Sequence, residues 1–188
     1  MNARRWTAGL LATVAAVALV GCTSKGQEKA CTTSTDGIFE CAPDQRSAPP
    51  KLAGELLAGG TYDVSQARGQ VAVVNFWGSW CPPCRAEADD LEATYQATKG
   101  SGVSFLGINV QDSRDKAKAF EEGRVTYPSL FDPSSRLALD LDIPPNTVPA
   151  TVVLDRDGRI AVVIRRAVTQ DELRPIVERV AAEKPASS

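Results

Sequence analysis

Two cysteines separated by two prolines, Cys81 and Cys84, are the residues of this chain best suited to chemistry. They stand where an apolar run, Val71–Trp77, gives way to a helical pattern that begins at Pro82. Unpartnered backbone N–H groups and the positive end of the helix dipole stabilise a thiolate at such a helix start. The chain has no histidine, so the helix terminus is the predicted means of activation. We expect Cys81 to be the exposed attacking thiol and Cys84, one turn deeper, to be the resolving thiol.

Other uses of the two thiols fit the sequence less well. A zinc site takes four ligands, and the domain offers neither a second cysteine pair nor a histidine. Thiol copper-transfer sites usually add a histidine as well. A structural disulfide over so short a spacing removes little chain entropy and is easily reduced. These arguments favour a redox-active disulfide between Cys81 and Cys84 that works without a metal or another cofactor.

Composition narrows the function further. The chain has 188 residues, is 43% hydrophobic and carries a net charge of −2. These values are typical of a globular protein, and the lack of a basic stripe gives no support for nucleic-acid binding. Without histidine, Ser-His and Cys-His nucleophiles and His-ligated metal sites are excluded.

The thiols must be positioned by a chain that alternates between strand and helix patterns. Strands joined through helices form a central sheet covered on both faces, and the tight Asp157-Gly158 turn makes the last two strands antiparallel. The sequence therefore predicts a mixed α/β sheet in one redox domain over residues 51–188. We predict strands over 61–64, 71–77, 103–110, 127–132, 149–155 and 160–166, and helices over 82–100, 113–123, 134–142 and 169–183.

The N-terminal residues are predicted to be a targeting segment outside the fold. Arg4 and Arg5 precede an apolar run of roughly 13 residues, shorter than the ~20 residues of a membrane-spanning helix. "LVGC", ending at Cys22, resembles the lipobox of bacterial lipoproteins, in which the cysteine carries the lipid. We therefore expect a lipoprotein signal peptide over residues 1–21 and a lipid anchor at Cys22 on the extracytoplasmic face of the membrane. The arginine pair leaves the export route, Sec or twin-arginine, open.

Residues 22–50 are polar and end in "SAPP", a composition typical of a flexible tether. Of the five cysteines in the chain, four remain if Cys22 is lipidated. Cys31 and Cys41 are then predicted to pair as a small structural disulfide, because exported free thiols are uncommon. Two unpaired thiols in a flexible arm are the alternative left open.

The stretch "VVNFWGSWCPPCRAE" resembles the active-site region of thioredoxin-like proteins of the TlpA/ResA type. The similarity extends from about Leu52 to Glu183 and takes in "NTVPATVVLDRDGRI", which looks like the cis-proline segment of that family. It implies a thioredoxin-like fold with a central αβ insertion, here at roughly 112–140. It also implies an extracytoplasmic, membrane-tethered protein that transfers electrons between thiols and disulfides.

The same resemblance implies roles for single residues. Pro149 matches the cis-proline, Val148 would present its backbone to an extended substrate chain, and Trp80 matches an exposed aromatic beside the nucleophile. Glu87 matches an active-site glutamate one helical turn after Cys84, where it would accept the Cys84 proton and tune its pKa. The alternatives left open are a trans proline in an edge strand, a core tryptophan and a glutamate on the helix surface.

One position departs from ordinary thioredoxins, which have a buried aspartate six residues before the first cysteine. This chain has Asn75 there. Because an amide cannot titrate, any proton acceptor near the thiols must be another group, which favours Glu87.

The resemblance implies that the protein reduces protein or peptide disulfides. The expected substrate is the CxxCH haem-attachment site of apocytochrome c, and the expected reductant is a CcdA- or DsbD-like membrane protein. Three other functions are alternatives. An oxidase that installs disulfides would use the same residues. A peroxiredoxin would need a single peroxidatic cysteine in a Thr-containing loop, which "SWCPPC" does not match. The third is a non-enzymatic lipoprotein that binds peptides in the groove at Pro149.

Overall fold

The structure, a computed structural model, describes residues 31–141, 143–144 and 146–184, and these form nine strands and four α-helices. From Val71 onward, the order of elements is the one predicted from the sequence, as are the bounds of two strands, Val71–Trp77 and Val103–Val110; the strands over 32–33, 38–40 and 53–55 are not among those predicted. The strands are β1 (Thr32–Thr33), β2 (Ile38–Glu40), β3 (Ala53–Glu55), β4 (Thr61–Asp63), β5 (Val71–Trp77), β6 (Val103–Val110), β7 (Ser129–Asp132), β8 (Ala150–Leu154) and β9 (Ile160–Ile164). The helices are α1 (Pro82–Thr98), α2 (Arg114–Glu121), α3 (Arg136–Leu139) and α4 (Gln170–Ala182).

A mixed sheet of seven strands runs in the order β1-β2-β9-β8-β5-β6-β7. β5, β6 and β7 are parallel to one another, while β8 is antiparallel to β5 and β9 is antiparallel to β8. All of β5 is buried, as expected of an apolar β-branched strand that lies inside a sheet covered on both faces. The predicted thioredoxin-like α/β fold is confirmed, and α2, β7 and α3 occupy the predicted insertion.

Two apolar layers cover the sheet because successive side chains of β5 point to opposite faces. Val71 and Val73 pack in the layer that includes residues of α1 and α4, whereas Val74 and Phe76 pack in the layer on the other face. β5 is therefore packed on both faces. Its end at Trp77 sets the position of the short segment that leads to Cys81 and α1.

Residues 31–50 differ from the flexible tether that their polar composition suggested. β1 and β2 form a hairpin, and β2 adds to the sheet by antiparallel pairing with β9. A disulfide joins Cys31 to Cys41 in this segment. The physical reason for the difference is that β9 would otherwise be an edge strand, and the hairpin satisfies its unpaired N–H and C=O groups.

Arg46 joins residues 31–50 to Asp155 and to Glu183, the residue that follows α4. Its side chain is only 2% exposed and lies between two carboxylates, with Asp155 at 3.1 Å and Glu183 at 2.5 Å. Its Nε also donates to the carbonyl oxygen of Cys41 at 3.2 Å. Burial acts to lower the pKa of Arg46, but hydrogen bonds to the two acids outweigh it, so the net shift is upward. The residues before the predicted domain boundary are thus part of the folded domain from Cys31 onward.

The predicted signal peptide, residues 1–21, and the predicted lipid site at Cys22 lie outside the described residues. Within the part of the chain that is described, no helix has both the length and the apolarity needed to cross a bilayer. The lipid anchor therefore stays a prediction.

Candidate active site

A disulfide between Cys81 and Cys84 lies where the chain passes from β5 to α1. Cys81 is the N-cap residue of α1, and its Sγ accepts a hydrogen bond from the backbone N–H of Cys84 at 3.2 Å. A thiolate on Cys81 would accept the same bond and face the positive end of the helix dipole. The expected position of Cys81 at the helix start is confirmed.

The expected exposure of Cys81 is wrong for the disulfide state that the structure shows. Cys81 is 2% exposed and Cys84 is 3% exposed. Both pack in an apolar cluster with Leu57, Trp77 and Ala117, against which Val148 also lies. Joined in a disulfide, the two sulfur atoms carry no charge, so they pack as apolar atoms.

Asp112 fixes the turn that carries the chain into Cys81. Its Oδ2 accepts the Ser79 backbone N–H at 2.7 Å, and its Oδ1 accepts the Ser79 hydroxyl at 3.0 Å. Asn109 Nδ2 donates to Oδ2 at 3.1 Å. Burial acts to raise the pKa of Asp112, but these hydrogen bonds hold it below its ordinary value. Sequence reasoning missed this residue, although its place just after β6 agrees with the rule that site residues gather beyond the carboxyl ends of parallel strands.

Trp80 stands on the surface beside the disulfide. Its side chain is 48% exposed, and its Nε1 donates to the carbonyl oxygen of Val110 at 3.2 Å. The indole lies close over Gly78, where an added Cβ would be 2.5 Å from Nε1. The core tryptophan of the region is Trp77, which is 6% exposed. Trp80 is therefore available to contact a partner, whereas Trp77 is not.

The peptide bond between Val148 and Pro149 is cis in the structure. Pro149 is buried just before β8, and Val148 is half-buried against the cluster that contains the two cysteines. The structure thus brings Val148 and Pro149 to the same end of the sheet as Cys81 and Cys84.

Glu87 is buried behind the disulfide, on the inner face of α1. The residue is 2% exposed, so the alternative of a glutamate on the helix surface is not what the structure shows. Asn75 Nδ2 donates to its Oε1 at 2.9 Å, and the backbone N–H of Val168 donates to its Oε2 at 3.0 Å. Cys84, three residues earlier on the same helix, faces the same side.

Burial raises the pKa of Glu87 to about 7. The hydrogen bonds from Asn75 and Val168 act in the opposite direction, because they favour the ionised form, but they are outweighed. A carboxyl with a pKa near neutrality can both take up and release a proton at physiological pH.

Asn75 has a role that the sequence did not indicate. From the sequence it is only the place of a missing acid, whereas in the structure it donates hydrogen bonds to Glu87 and to Thr151 Oγ1, the latter at 3.1 Å. Where ordinary thioredoxins have a titrating aspartate, this chain has an amide that donates a hydrogen bond to the titrating carboxyl of Glu87 on α1. In the described residues, no cluster of three or more potential metal ligands is found.

Comparison with known proteins gives consistent matches. A profile of the AhpC/TSA family matches residues 44–163, a range that includes the Cys81–Cys84 pair and Pro149. The thiol:disulfide interchange protein DsbE of Vibrio cholerae is 33% identical over 142 residues, covering 71% of this chain and 74% of that protein. The thiol-disulfide oxidoreductase ResA of Geobacillus kaustophilus is 27% identical over 135 residues, covering 71% and 76%. The crystal structure of a secreted thiol-disulfide isomerase from Corynebacterium glutamicum matches with a TM-score of 0.75 at 34% identity, covering 81% of this chain and 98% of that one.

Proposed function

Because the chain belongs to the AhpC/TSA family and is a thiol–disulfide oxidoreductase of the ResA/DsbE type, we propose that it reduces disulfides of exported proteins. The observation that carries this direction of electron flow is the carboxyl of Glu87, buried one helical turn from Cys84. The non-enzymatic alternative no longer stands, because the relatives are thiol-disulfide oxidoreductases. A peroxiredoxin with a single peroxidatic cysteine does not fit a site in which Cys81 is joined to Cys84.

The buried carboxyl favours the disulfide over the dithiol. Reduction turns Cys84 into a thiol that is almost fully buried and can ionise only beside Glu87. A neighbouring carboxylate and burial both disfavour a thiolate, so the reduced form gains little from ionisation at Cys84. A protein whose dithiol is not stabilised in this way gives up its electrons readily, which is the property of a reductant.

The reaction proceeds in two exchanges. The Cys81 thiolate attacks one sulfur of the substrate disulfide, the other substrate sulfur leaves as a thiolate, and a mixed disulfide forms. Cys84 then gives its proton to the Glu87 carboxylate and attacks Cys81 Sγ. The second substrate sulfur leaves with its electron pair, and the Cys81–Cys84 disulfide remains. Two electrons have passed from the protein to the substrate.

The substrate is proposed to lie across Trp80, Val148 and Pro149. An extended peptide can pair with the backbone of Val148 by strand addition, with its disulfide over Cys81. By the family resemblance, the CxxCH segment of apocytochrome c is the proposed substrate, and a CcdA- or DsbD-like membrane protein is the proposed reductant of the oxidised pair. The leader pattern ending at Cys22 supports a lipid-anchored protein on the extracytoplasmic side of the membrane.

An oxidase or isomerase is the second candidate function. The observation in its favour is Cys81 at the N-cap of α1, because a helix terminus stabilises the Cys81 thiolate and hence the dithiol. The two functions use the same residues, and the reduction potential of the pair separates them.

Equilibrating the purified domain with glutathione buffers tests the direction. We expect a potential closer to the about −270 mV of thioredoxin than to the about −120 mV of DsbA. A value near that of DsbA would establish the second candidate instead. A Cys31→Ser/Cys41→Ser double variant is the matched control, because it keeps the Cys81–Cys84 pair and should give the same potential.

A further inference from the structure

A second, half-buried carboxyl lies near Cys84, on an element other than α1. Glu121, the last residue of α2, lines a small pocket together with Cys84, Asn75 and Tyr127. The pocket has a volume of about 10 Å³, at the lower limit of what is needed to hold a single water molecule. None of the roles assigned so far uses Glu121.

The position of Glu121 is set by a chain of hydrogen bonds. The Ser129 hydroxyl donates to Glu121 Oε1, and Trp77 Nε1 donates to Ser129 Oγ at 3.3 Å. This chain crosses β6 at Gly107, where an added Cβ would collide with Ser129 Oγ and lie 2.9 Å from Trp77 Nε1. Only glycine leaves room for the two groups to meet. The arrangement therefore depends on β5, β6, β7 and α2 together.

The surroundings of Glu121 raise its pKa, and the cations near it along the chain and on α1 have other contacts. Burial raises the pKa of Glu121, and the hydrogen bond from Ser129 offsets this only in part. Tyr127, whose pKa is raised mainly by burial, also feels the negative charges of Glu121, Glu87 and Glu92. Two cations lie three positions from Glu121 along the chain: Lys118 is exposed, and Arg124 is paired with Asp89 at 3.1 Å. Arg85 of α1 and Arg124 both lie over the ring of Phe120, at 6.0 Å and 4.8 Å from its centroid.

We propose that Glu121 is a second proton acceptor for Cys84, acting across the pocket while Glu87 acts from within α1. The inference rests on the proposed thiol–disulfide exchange and adds a residue from the central insertion to it. Glu87 is fixed by donors on both carboxylate oxygens, whereas Glu121 faces the pocket that Cys84 also lines. A proton can cross such a space through a single water molecule.

Glu121 acts when Cys84 resolves the mixed disulfide. The S–H bond of Cys84 breaks, and its proton passes to the carboxylate of Glu121. The Cys84 sulfur uses the freed electron pair to bond Cys81 Sγ. The bond between Cys81 and the substrate sulfur breaks, and the substrate leaves as a thiolate. In the reverse direction the protonated Glu121 returns the proton to Cys84.

The test follows the two exchanges of the reduced protein with Ellman's reagent. The first thionitrobenzoate is released when Cys81 attacks, and the second when Cys84 resolves the mixed disulfide. In Glu121→Gln we expect the second release to slow about tenfold at neutral pH while the first is unchanged, because Glu87 still supplies part of the acceptor function. The matched control is Glu122→Gln, which alters the exposed neighbour and should leave both releases as they are.

A second variant, Ser129→Ala, predicts a shift of the pH profile that a purely structural role of Glu121 would not produce. Ser129→Ala keeps the carboxyl but removes a hydrogen bond that favours its ionised form. The pH below which the second release slows should therefore move upward. If Glu121→Gln does not fold, this variant decides: an unmoved pH profile would overturn the proposal.

The outcomes separate the inference from the function on which it rests. A Glu121→Gln protein that matches Glu122→Gln in the rate and pH profile of the second release would overturn the role of Glu121 alone. If the parent protein releases no second thionitrobenzoate, the exchange reaction and the role of Glu121 both fail.

Discussion

The two disulfides of this domain differ in their charged neighbours: one lies beside a buried ion pair, the other beside acids that have no cationic partner among the described residues. Beside Cys31–Cys41, the buried side chain of Arg46 is paired with Asp155 and Glu183. Beside Cys81–Cys84, Glu87 and Glu121 are buried or partly buried acids, and neither takes part in any ion pair found among the described residues.

This difference separates a structural region from a reactive one. A buried cation held by two acids stays charged at all ordinary pH values and fixes the hairpin in place. Burial without a neighbouring cation raises the pKa of Glu87 and of Glu121, and it brings the pKa of Glu87 to about 7. Perturbed titrating groups beside a reactive atom are the physical mark of a functional site. Five cysteines in a sequence do not show this distinction, but the surroundings of the two pairs do.

The largest expected difference between the regions is in exchange activity. Cys81→Ser removes the attacking sulfur and should abolish insulin reduction. Cys31→Ser/Cys41→Ser should keep it and instead lower the free energy of unfolding by about 2–3 kcal/mol, the usual effect of opening a short loop. Activity lost in the second variant would show that the hairpin disulfide takes part in exchange.

The paired charges of the hairpin region should matter for stability alone. Arg46→Ala removes the buried cation that pairs with Glu183 and one of the two cations that pair with Asp155, so we expect a loss of about 3 kcal/mol in urea unfolding with unchanged exchange kinetics. The matched control is Arg179→Ala, which breaks the exposed pair with Glu40 and should cost less than about 1 kcal/mol. Equal losses in the two variants would contradict the importance of burial.

The unpaired acid of the reactive region should make stability fall as pH rises. The pKa of Glu87 is raised by burial from 4.5 to about 7. The folded state therefore binds more protons than the unfolded state between these values, and stability is lost across that window, by an amount on the order of 3 kcal/mol.

Glu87→Gln should flatten this dependence, because the amide does not titrate. Urea unfolding at pH 5 and pH 8 measures it. The control is Asp89→Asn, which changes an exposed acid of the same helix and should retain the slope of the parent protein. A parent protein equally stable at both pH values would contradict the raised pKa.

The sequence predicted what local patterns determine. The apolar run of β5 and the cysteines at the start of α1 are readable because strand burial and helix capping depend on neighbouring residues. The family resemblance located Glu87, and a single turn of helix places it near Cys84. Each of these predictions concerns residues that are close in the chain.

The features that sequence reasoning missed depend on contacts between distant residues. Arg46 contacts Asp155 across 109 positions, and this contact, together with the pairing of β2 with β9, makes residues 31–50 part of the fold. The chain from Trp77 through Ser129 to Glu121 joins three elements, and no local pattern announces it. The burial of Cys81 likewise depends on side chains from other elements, such as Leu57 and Val148.

The smallest effect we predict tests whether Asn75 belongs to the reactive region. Asn75 donates to Glu87 Oε1, and this bond lowers the pKa of the carboxyl against the effect of burial. Asn75→Ala should therefore raise the pKa of Glu87 further, by less than one unit if the bond contributes about 1 kcal/mol. Thr151→Val is the matched control, because it removes the other partner of Asn75 and leaves the bond to Glu87 in place.

The midpoint of the pH-dependent stability change measures the shift in the pKa of Glu87. If the midpoint moves upward in Asn75→Ala and stays in Thr151→Val, the amide tunes the acid behind the disulfide. If the two variants behave alike, Asn75 only fills space between β5 and α1.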